Sequence, residues 1–151
     1  MKRINYRYCI ALPIVILFLL WLNDVMSYSR RIGNTHFYLV ESTAIPKEGD
    51  DRLVELCYKS DRESGGFSGV SMPGYPKTIL WNDKYLISKN YDGYNDDIIS
   101  YVVINQNSVN VKTEEIEEIH YFTSEDDYKR FLRQISLSES GMNQTGNRIL
   151  W

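Results

Sequence analysis

Residues Cys9 to Leu22 read CIALPIVILFLLWL, fourteen positions without a charged side chain. Backbone N–H and C=O groups cannot stay unpaired in hydrocarbon, so a run of this kind enters a bilayer as a helix. Its length falls between two rules. A full span takes about 20 apolar residues, whereas the apolar region of a signal peptide takes about 7–15. Adding Tyr8 and, past Asn23 and Asp24, Val25 and Met26 gives a marginal span over residues 8–26. Lys2, Arg3 and Arg7 precede the run, which keeps the N-terminus cytoplasmic and exports the C-terminal remainder of the chain. Arg30 and Arg31 weaken that bias without reversing it.

The run has two possible fates. The segment is retained as a signal anchor with Trp21 at the outer interface, giving a single-pass inner (plasma) membrane protein. Alternatively it is cleaved near Ser27, with Val25 at −3 and Ser27 at −1, giving a periplasmic or secreted domain. Pro13 is compatible with both, because membrane helices tolerate proline. Tyr6-Arg7-Tyr8 ahead of Cys9 is no lipobox, so Cys9 is not a lipoprotein cysteine. The bland alternative, a soluble core helix, seldom sits directly behind a basic N-terminus.

The chain carries a formal charge of −3. Residues 1–27 hold Lys2, Arg3 and Arg7 against Asp24 alone, so the exported remainder is near −5. Phosphate binding needs clustered Lys and Arg, so nucleic acid is excluded as a partner. A basic protein surface remains an option; simple solubility explains the charge equally well. Cys9 and Cys57 are the only cysteines, and Cys9 belongs to the membrane segment. The exported part is therefore expected to rest on its apolar core, without a disulfide framework.

Along the chain, 28–34 reads as a linker, 35–135 as one exported domain and 136–151 as a flexible tail rich in Ser, Asn and Gly. Thr35–Glu41 is rich in strand formers. Arg52–Lys59 alternates, with Val54, Leu56 and Tyr58 on one face and Glu55, Cys57 and Lys59 on the other. Phe67–Met72 reads as a short strand. In Lys77–Ser88 two strand-like runs flank Asn82-Asp83, residues that tolerate positive φ in a tight hairpin. Asn90–Asp97 reads as a polar loop. Ile98–Ile104 is apolar at successive positions, as in a strand covered on both faces. Val111–Phe122 is compatible with strand or helix. Residues 124–135 predict a helix: Tyr128, Phe131, Leu132 and Ile135 form one stripe, Thr123 or Ser124 caps it, and Glu125, Asp126 and Asp127 in the first turn complement its dipole. The expected fold class is α+β: the membrane helix or signal peptide, then a mostly antiparallel sheet of about five to seven strands with one C-terminal helix packed on it.

No catalytic, cofactor or metal-binding motif stands out. His36 and His120 have no ligand-spaced partner, and both read as partly buried strand histidines. A Cys57–His120 nucleophile pair requires the fold to bring the two together. The acidic groups Glu114, Glu115, Glu117, Glu118 and Glu125–Asp127 lack the alternating pattern of a calcium loop, as does Asp92–Asp97. They read as a solvated face and a helix N-terminus. Paired carboxylates for glycoside hydrolysis depend on separation in space. Gly65-Gly66-Phe67-Ser68-Gly69 has the glycines of a phosphate loop but no following Lys-Ser/Thr. Ten tyrosines lie beyond residue 27. Among the aromatic residues, Trp81, Tyr85, Tyr91 and Tyr94 are the candidate partner contacts, since grouped exposed rings anchor interfaces. For Trp81 and Tyr101, core packing is the alternative, while Tyr91 and Tyr94 in a polar loop are expected to be exposed.

Ile79–Tyr91 (ILWNDKYLISKNY), followed after a polar gap by Ile99–Asn105 (ISYVVIN), resembles a pattern in small bacterial cell-envelope proteins with a domain of unknown function. There a hairpin of this type leads to a tyrosine-bearing strand and an acidic-capped helix. The resemblance spans about a third of the exported part and is one of packing. It implies a bacterial, membrane-anchored or lipoprotein-like domain, although this chain has no lipobox, and it transfers no site residues. Together these features point to a non-enzymatic binding module without cofactor. An inhibitor or immunity-type protein that caps a basic toxin or enzyme through residues 114–127 comes second, and a small hydrolase using Cys57 and His120 third.

Overall fold

The computed structural model describes residues 29–42, 53–59 and 66–146. The expected membrane segment at 8–26, the junction near Ser27 and residues 147–151 lie outside them. Among the described residues, no helix is long and apolar enough to cross a membrane.

Eleven described strands form mostly antiparallel sheets, with one α-helix in the C-terminal part. The first sheet has the order β1(Ser29–Arg31), β2(Phe37–Glu41), β3(Val54–Lys59), β4(Phe67–Gly69). The second contains β5(Tyr75–Trp81), β6(Tyr85–Tyr91), β7(Ser100–Asn105), β10(Ile119–Phe122) and β11(Asn143–Gly146), in the order β10-β7-β6-β5-β11. A small hairpin pairs β8(Val109–Asn110) with β9(Glu115–Ile116), and α1 spans Glu125–Gln134. The class is α+β, but the single sheet expected from the sequence is replaced by two large sheets packed face to face.

The second sheet is buried on both faces. Ile79, Leu86, Val102 and Ile104 meet Phe37, Leu39, Leu56 and Tyr58 of the first sheet. Leu80, Ile87, Tyr101 and Val103, on the opposite face, meet Tyr128 and Leu132 of α1. The continuous apolar run in β7 follows from this double cover: successive side chains point to opposite faces, and neither face is wet. Burial of a large aliphatic side chain stabilises by roughly 1.5–3 kcal/mol, so β6 and β7 contribute on both faces. Ser124 caps α1 by accepting a hydrogen bond from the Asp127 N–H, and the acidic first turn follows it, as expected. Tyr128 is 1% exposed and stacks on Tyr101 with ring centroids 4.4 Å apart.

Several local expectations need correction. Ser29–Arg31 is a strand paired to Tyr38–Val40 and not a linker. Asn82 and Asp83 do not adopt positive φ. Instead the Asn82 side-chain oxygen accepts from the N–H groups of Lys84 at 2.9 Å and Tyr85 at 2.7 Å, closing the turn by an Asx arrangement. Segment 111–122 is not helical: it turns after β8, passes Glu114 at φ 60°, and returns as β9 and β10. The strand expected over Phe67–Met72 is confined to Phe67–Gly69, which pairs with β3.

Asn90 is likewise not a loop residue. It lies near the end of β6, fully buried, where its amide donates to the Pro73 carbonyl at 3.2 Å and to Ser100 Oγ at 3.1 Å, while its oxygen accepts from Ser88 Oγ at 2.5 Å. Ser100 Oγ also donates to Pro73 O at 2.8 Å. This network holds the crossover between the two sheets, and every buried side-chain polar atom among the described residues has a partner. Pro76 lies in β5 beyond the reach of β11, which pairs only with Thr78–Trp81, so its missing N–H leaves no gap in a ladder.

The expected flexible tail is also revised over its described part. Residues 143–146 extend the sheet as β11. Ahead of that strand, Glu139 fastens the chain to the sheet and to α1: its carboxylate accepts from Tyr128 Oη at 2.5 Å and pairs with Lys89 Nζ at 2.7 Å. Polar composition concealed this, because an edge strand needs only backbone partners on one side.

Two outcomes are expected. Asn90→Ala leaves Ser88 and Ser100 with fewer partners in a dry site and should lower unfolding stability by about 2–3 kcal/mol in denaturant titrations. Burial raises the pKa of Glu139, but the hydrogen bonds from Lys89 and Tyr128 outweigh it and hold the carboxyl below its ordinary 4.5. Its contribution is therefore present above about pH 4.5 and lost as pH falls through the lower folded value. Glu139→Gln should cost about 1 kcal/mol at pH 7 and progressively less in acid, read by thermal unfolding across pH.

Candidate functional site

Four segments converge at one end of the sandwich: the β1–β2 turn, the β5–β6 turn, the 3-10 turn at Gln106–Ser108 after β7, and the start of β11. They enclose a groove of about 380 Å³ lined by Gly33, Asn34, Trp81, Asp83, Gln106 and Asn143, with Thr35 and Asn82 completing the wall. Trp81 ends β5 on the face toward the first sheet and packs, half-buried, against that core. Asn143 lies opposite Trp81 in the β5–β11 register, which places both on the same face of the sheet.

The walls are pre-set by internal hydrogen bonds. Thr35 Oγ1 donates to Ile32 O at 2.7 Å and accepts from the Phe37 N–H at 3.1 Å. Arg31 Nε donates to the Thr35 carbonyl at 2.8 Å, bracing the same turn. Gln106 Nε2 donates to Asn82 O at 2.5 Å and to Tyr85 O at 3.2 Å, joining the 3-10 turn to the β5–β6 turn. Gly33 takes φ +50°, and a Cβ there would fall 2.5 Å from the indole Nε1 of Trp81. Glycine thus lets the backbone lie against the indole edge and fixes the ring. By contrast, the side chains of Asn34, Asp83 and Asn143 make no hydrogen bond to another described residue, and all three residues are exposed.

The four aromatic residues singled out in the sequence do not form one surface. Tyr85 is buried in the core under α1, on the opposite face of the sheet from Trp81. Tyr91, expected to be exposed, is 8% exposed. Tyr94 is 61% exposed, in a loop whose Asp92 carboxylate accepts the backbone N–H groups of Asn95 and Tyr94. Those bonds, Asn95 first, hold the Asp92 carboxyl below its ordinary range. Trp81 is the member that lines the groove. The remaining groove residues carried no sequence signal beyond turn propensity, because they come from segments up to about 110 positions apart.

Cys57 and His120, the pair that the third reading requires, are not brought together. Cys57 is buried and lies on the outer side of the first sheet, opposite Tyr38 and Gly69 in register. Burial, reinforced by the Glu55 carboxylate, pushes its thiol up to about 11. His120 packs on Phe131 of α1, ring centroids 4.4 Å apart, beyond the far face of the second sheet. The inter-sheet core lies between them, and packed sheets alone stand about 10 Å apart. His36 is exposed in the turn before β2 and not a buried strand histidine. Among the described residues, no three His, Cys, Asp or Glu side chains are grouped to hold a metal ion.

Two carboxylates of the acidic segment are paired with cations of α1, and hydrogen bonds from neutral groups tie it to its neighbours. Glu125 pairs with Lys129 at 2.7 Å and Asp127 with Arg130 at 3.0 Å. Glu118 accepts from Asn105 Nδ2 at 2.6 Å, and the Glu114 carbonyl accepts from Tyr58 Oη at 2.5 Å. Comparison with protein-family models, with curated proteins and with solved structures gives no match for the chain.

Gly33→Ala should test the seating of the indole. Strain at positive φ and displacement of Trp81 are expected to cost about 1–2 kcal/mol and to change the near-ultraviolet circular dichroism, while far-ultraviolet ellipticity stays constant.

Proposed function

We propose that this chain is a membrane-anchored or exported binding module of a bacterial envelope that acts by non-covalent recognition. The observation that carries the reading is the Trp81 groove. It is a pre-set cavity in which exposed polar side chains surround an indole, and its described residues assemble no acid–base or nucleophilic pair. Asp83 is the only carboxylate among the described residues lining it, whereas glycoside hydrolysis in its usual form takes two. At about 380 Å³ the groove falls within the roughly 300–1,000 Å³ range of small-ligand sites, and its mainly polar lining around one indole suits a polar ligand better than an apolar one. The basic-flanked apolar run Cys9–Leu22, extended to a marginal span over 8–26, supports the address, with the domain exported and the N-terminus cytoplasmic.

The full chain, expressed in a bacterial host with a photo-cross-linker near the groove, tests both parts. The expected protein is either membrane-held with Met1 intact or exported with a new N-terminus near Tyr28. Its cross-links to envelope components should disappear in the Asn34→Ala, Asn143→Ala double variant and persist in Cys57→Ala and His120→Ala. A soluble cytoplasmic protein that retains Met1 overturns the address. Cross-linking indifferent to the groove variant overturns the site.

A further inference from the structure

We infer that the Trp81 groove binds a neutral carbohydrate, with the indole as platform and Asn34, Asp83 and Asn143 as the hydroxyl-reading groups. The inference rests on the binding reading above and names its ligand class. Three observations select that class.

The first is the charge of the lining. Asn34, Thr35, Asn82, Gln106 and Asn143 are uncharged, Asp83 is anionic, and no Lys or Arg among the described residues lines the cavity. The Arg31 guanidinium, on the flank of the β1–β2 turn, is directed to the backbone carbonyls of Thr35 and Asn34. A phosphate or carboxylate ligand would meet the Asp83 carboxylate and no cationic side chain in the described lining, which disfavours it.

The second is donor and acceptor capacity. A side-chain amide offers two donors and one acceptor, and a carboxylate accepts only. Asn34 and Asn143 with Asp83 therefore present both kinds of group without spending them on other described residues. Vicinal hydroxyls, each both donor and acceptor, match that set. An aliphatic ligand would strip water from these groups and return nothing, at a cost comparable to lost hydrogen bonds.

The third is the indole. Trp81 packs against the inter-sheet core, its Nε1 edge lies beside Gly33, and it lines the groove, so the indole is a fixed, amphipathic group there. A pyranose has an apolar C–H face and a polar rim, complementary to an aromatic surface ringed by amides. Gln106 and Thr35 take part as bracing, since their hydrogen bonds fix the two turns that carry Asn34 and Asp83.

The test uses the full chain in a sugar-free zwitterionic detergent, with Trp21→Phe and Trp151→Phe so that Trp81 is the sole tryptophan. Maltotetraose, cellotetraose and chitotetraose are titrated separately against its fluorescence, with inorganic phosphate as the anionic probe. At least one glycan should shift the emission saturably, and phosphate should not. Asn34→Ala and Asn143→Ala, exposed and therefore neutral to folding, should each weaken that binding by at least about fivefold, with far-ultraviolet ellipticity unchanged. Saturable binding of phosphate and not of any glycan overturns the assignment, as does glycan binding indifferent to both variants. If no glycan binds while groove-dependent cross-linking in the envelope persists, the carbohydrate assignment falls and the binding reading stands. If both are absent, the binding reading falls with it.

Discussion

The second sheet is covered twice, and the rest of the molecule is arranged around that fact. β6 and β7 place Leu86, Val102 and Ile104 into the inter-sheet core and Ile87, Tyr101 and Val103 under α1. A sheet buried on both faces needs a layer on each side, because either face left wet would expose a contiguous apolar patch. The first sheet supplies one layer and α1 the other. Without α1, Tyr101 and Val103 would be wet, and without β2 and β3, Ile79 and Leu86 would be.

Double burial also dictates where polar groups can stand. Within the inter-sheet layer, Ser88, Asn90 and Ser100 survive because they satisfy one another and the Pro73 carbonyl. They hold the crossover from one sheet to the other. Near α1, Glu139 is tolerated because Tyr128 and Lys89 both donate to it. These clusters act as fasteners at positions where apolar packing alone would leave chain segments unattached. The free polar capacity of the Trp81 end is of the opposite kind: Asn34, Asp83 and Asn143 border water and a cavity, where an outside partner can complete them.

The legible parts of the fold were those with strong local periodicity. The stripe Tyr128, Phe131, Leu132 and Ile135 identified α1 to within a residue or two, and Ser124 with three acidic neighbours marked its start. The β5–β6 hairpin was legible from two β-rich runs around Asn82-Asp83, although the turn closes through the Asn82 side chain and not through positive φ. Asn90 and β11 were not legible. A buried asparagine in a tertiary network has the composition of a loop residue, and an edge strand paired through its backbone leaves no pattern in its side chains. The aromatic residues misled in the same way: Tyr85 and Trp81 are four positions apart, yet a hairpin turn sends them to opposite faces.

By itself the sequence determined the apolar run Cys9–Leu22 with its basic flank, the α+β class, the helix and the double-faced strand β7. Each is a statement about neighbours along the chain, where hydrophobic period and capping act directly. Only the tertiary structure decided that there are two large sheets, that Cys57 and His120 lie on opposite sides of the sandwich, and that Gly33, Trp81, Gln106 and Asn143 meet. Strand pairing and sheet packing join residues tens of positions apart. The energies that select those pairings come from shared burial, and shared burial leaves no mark on any one segment.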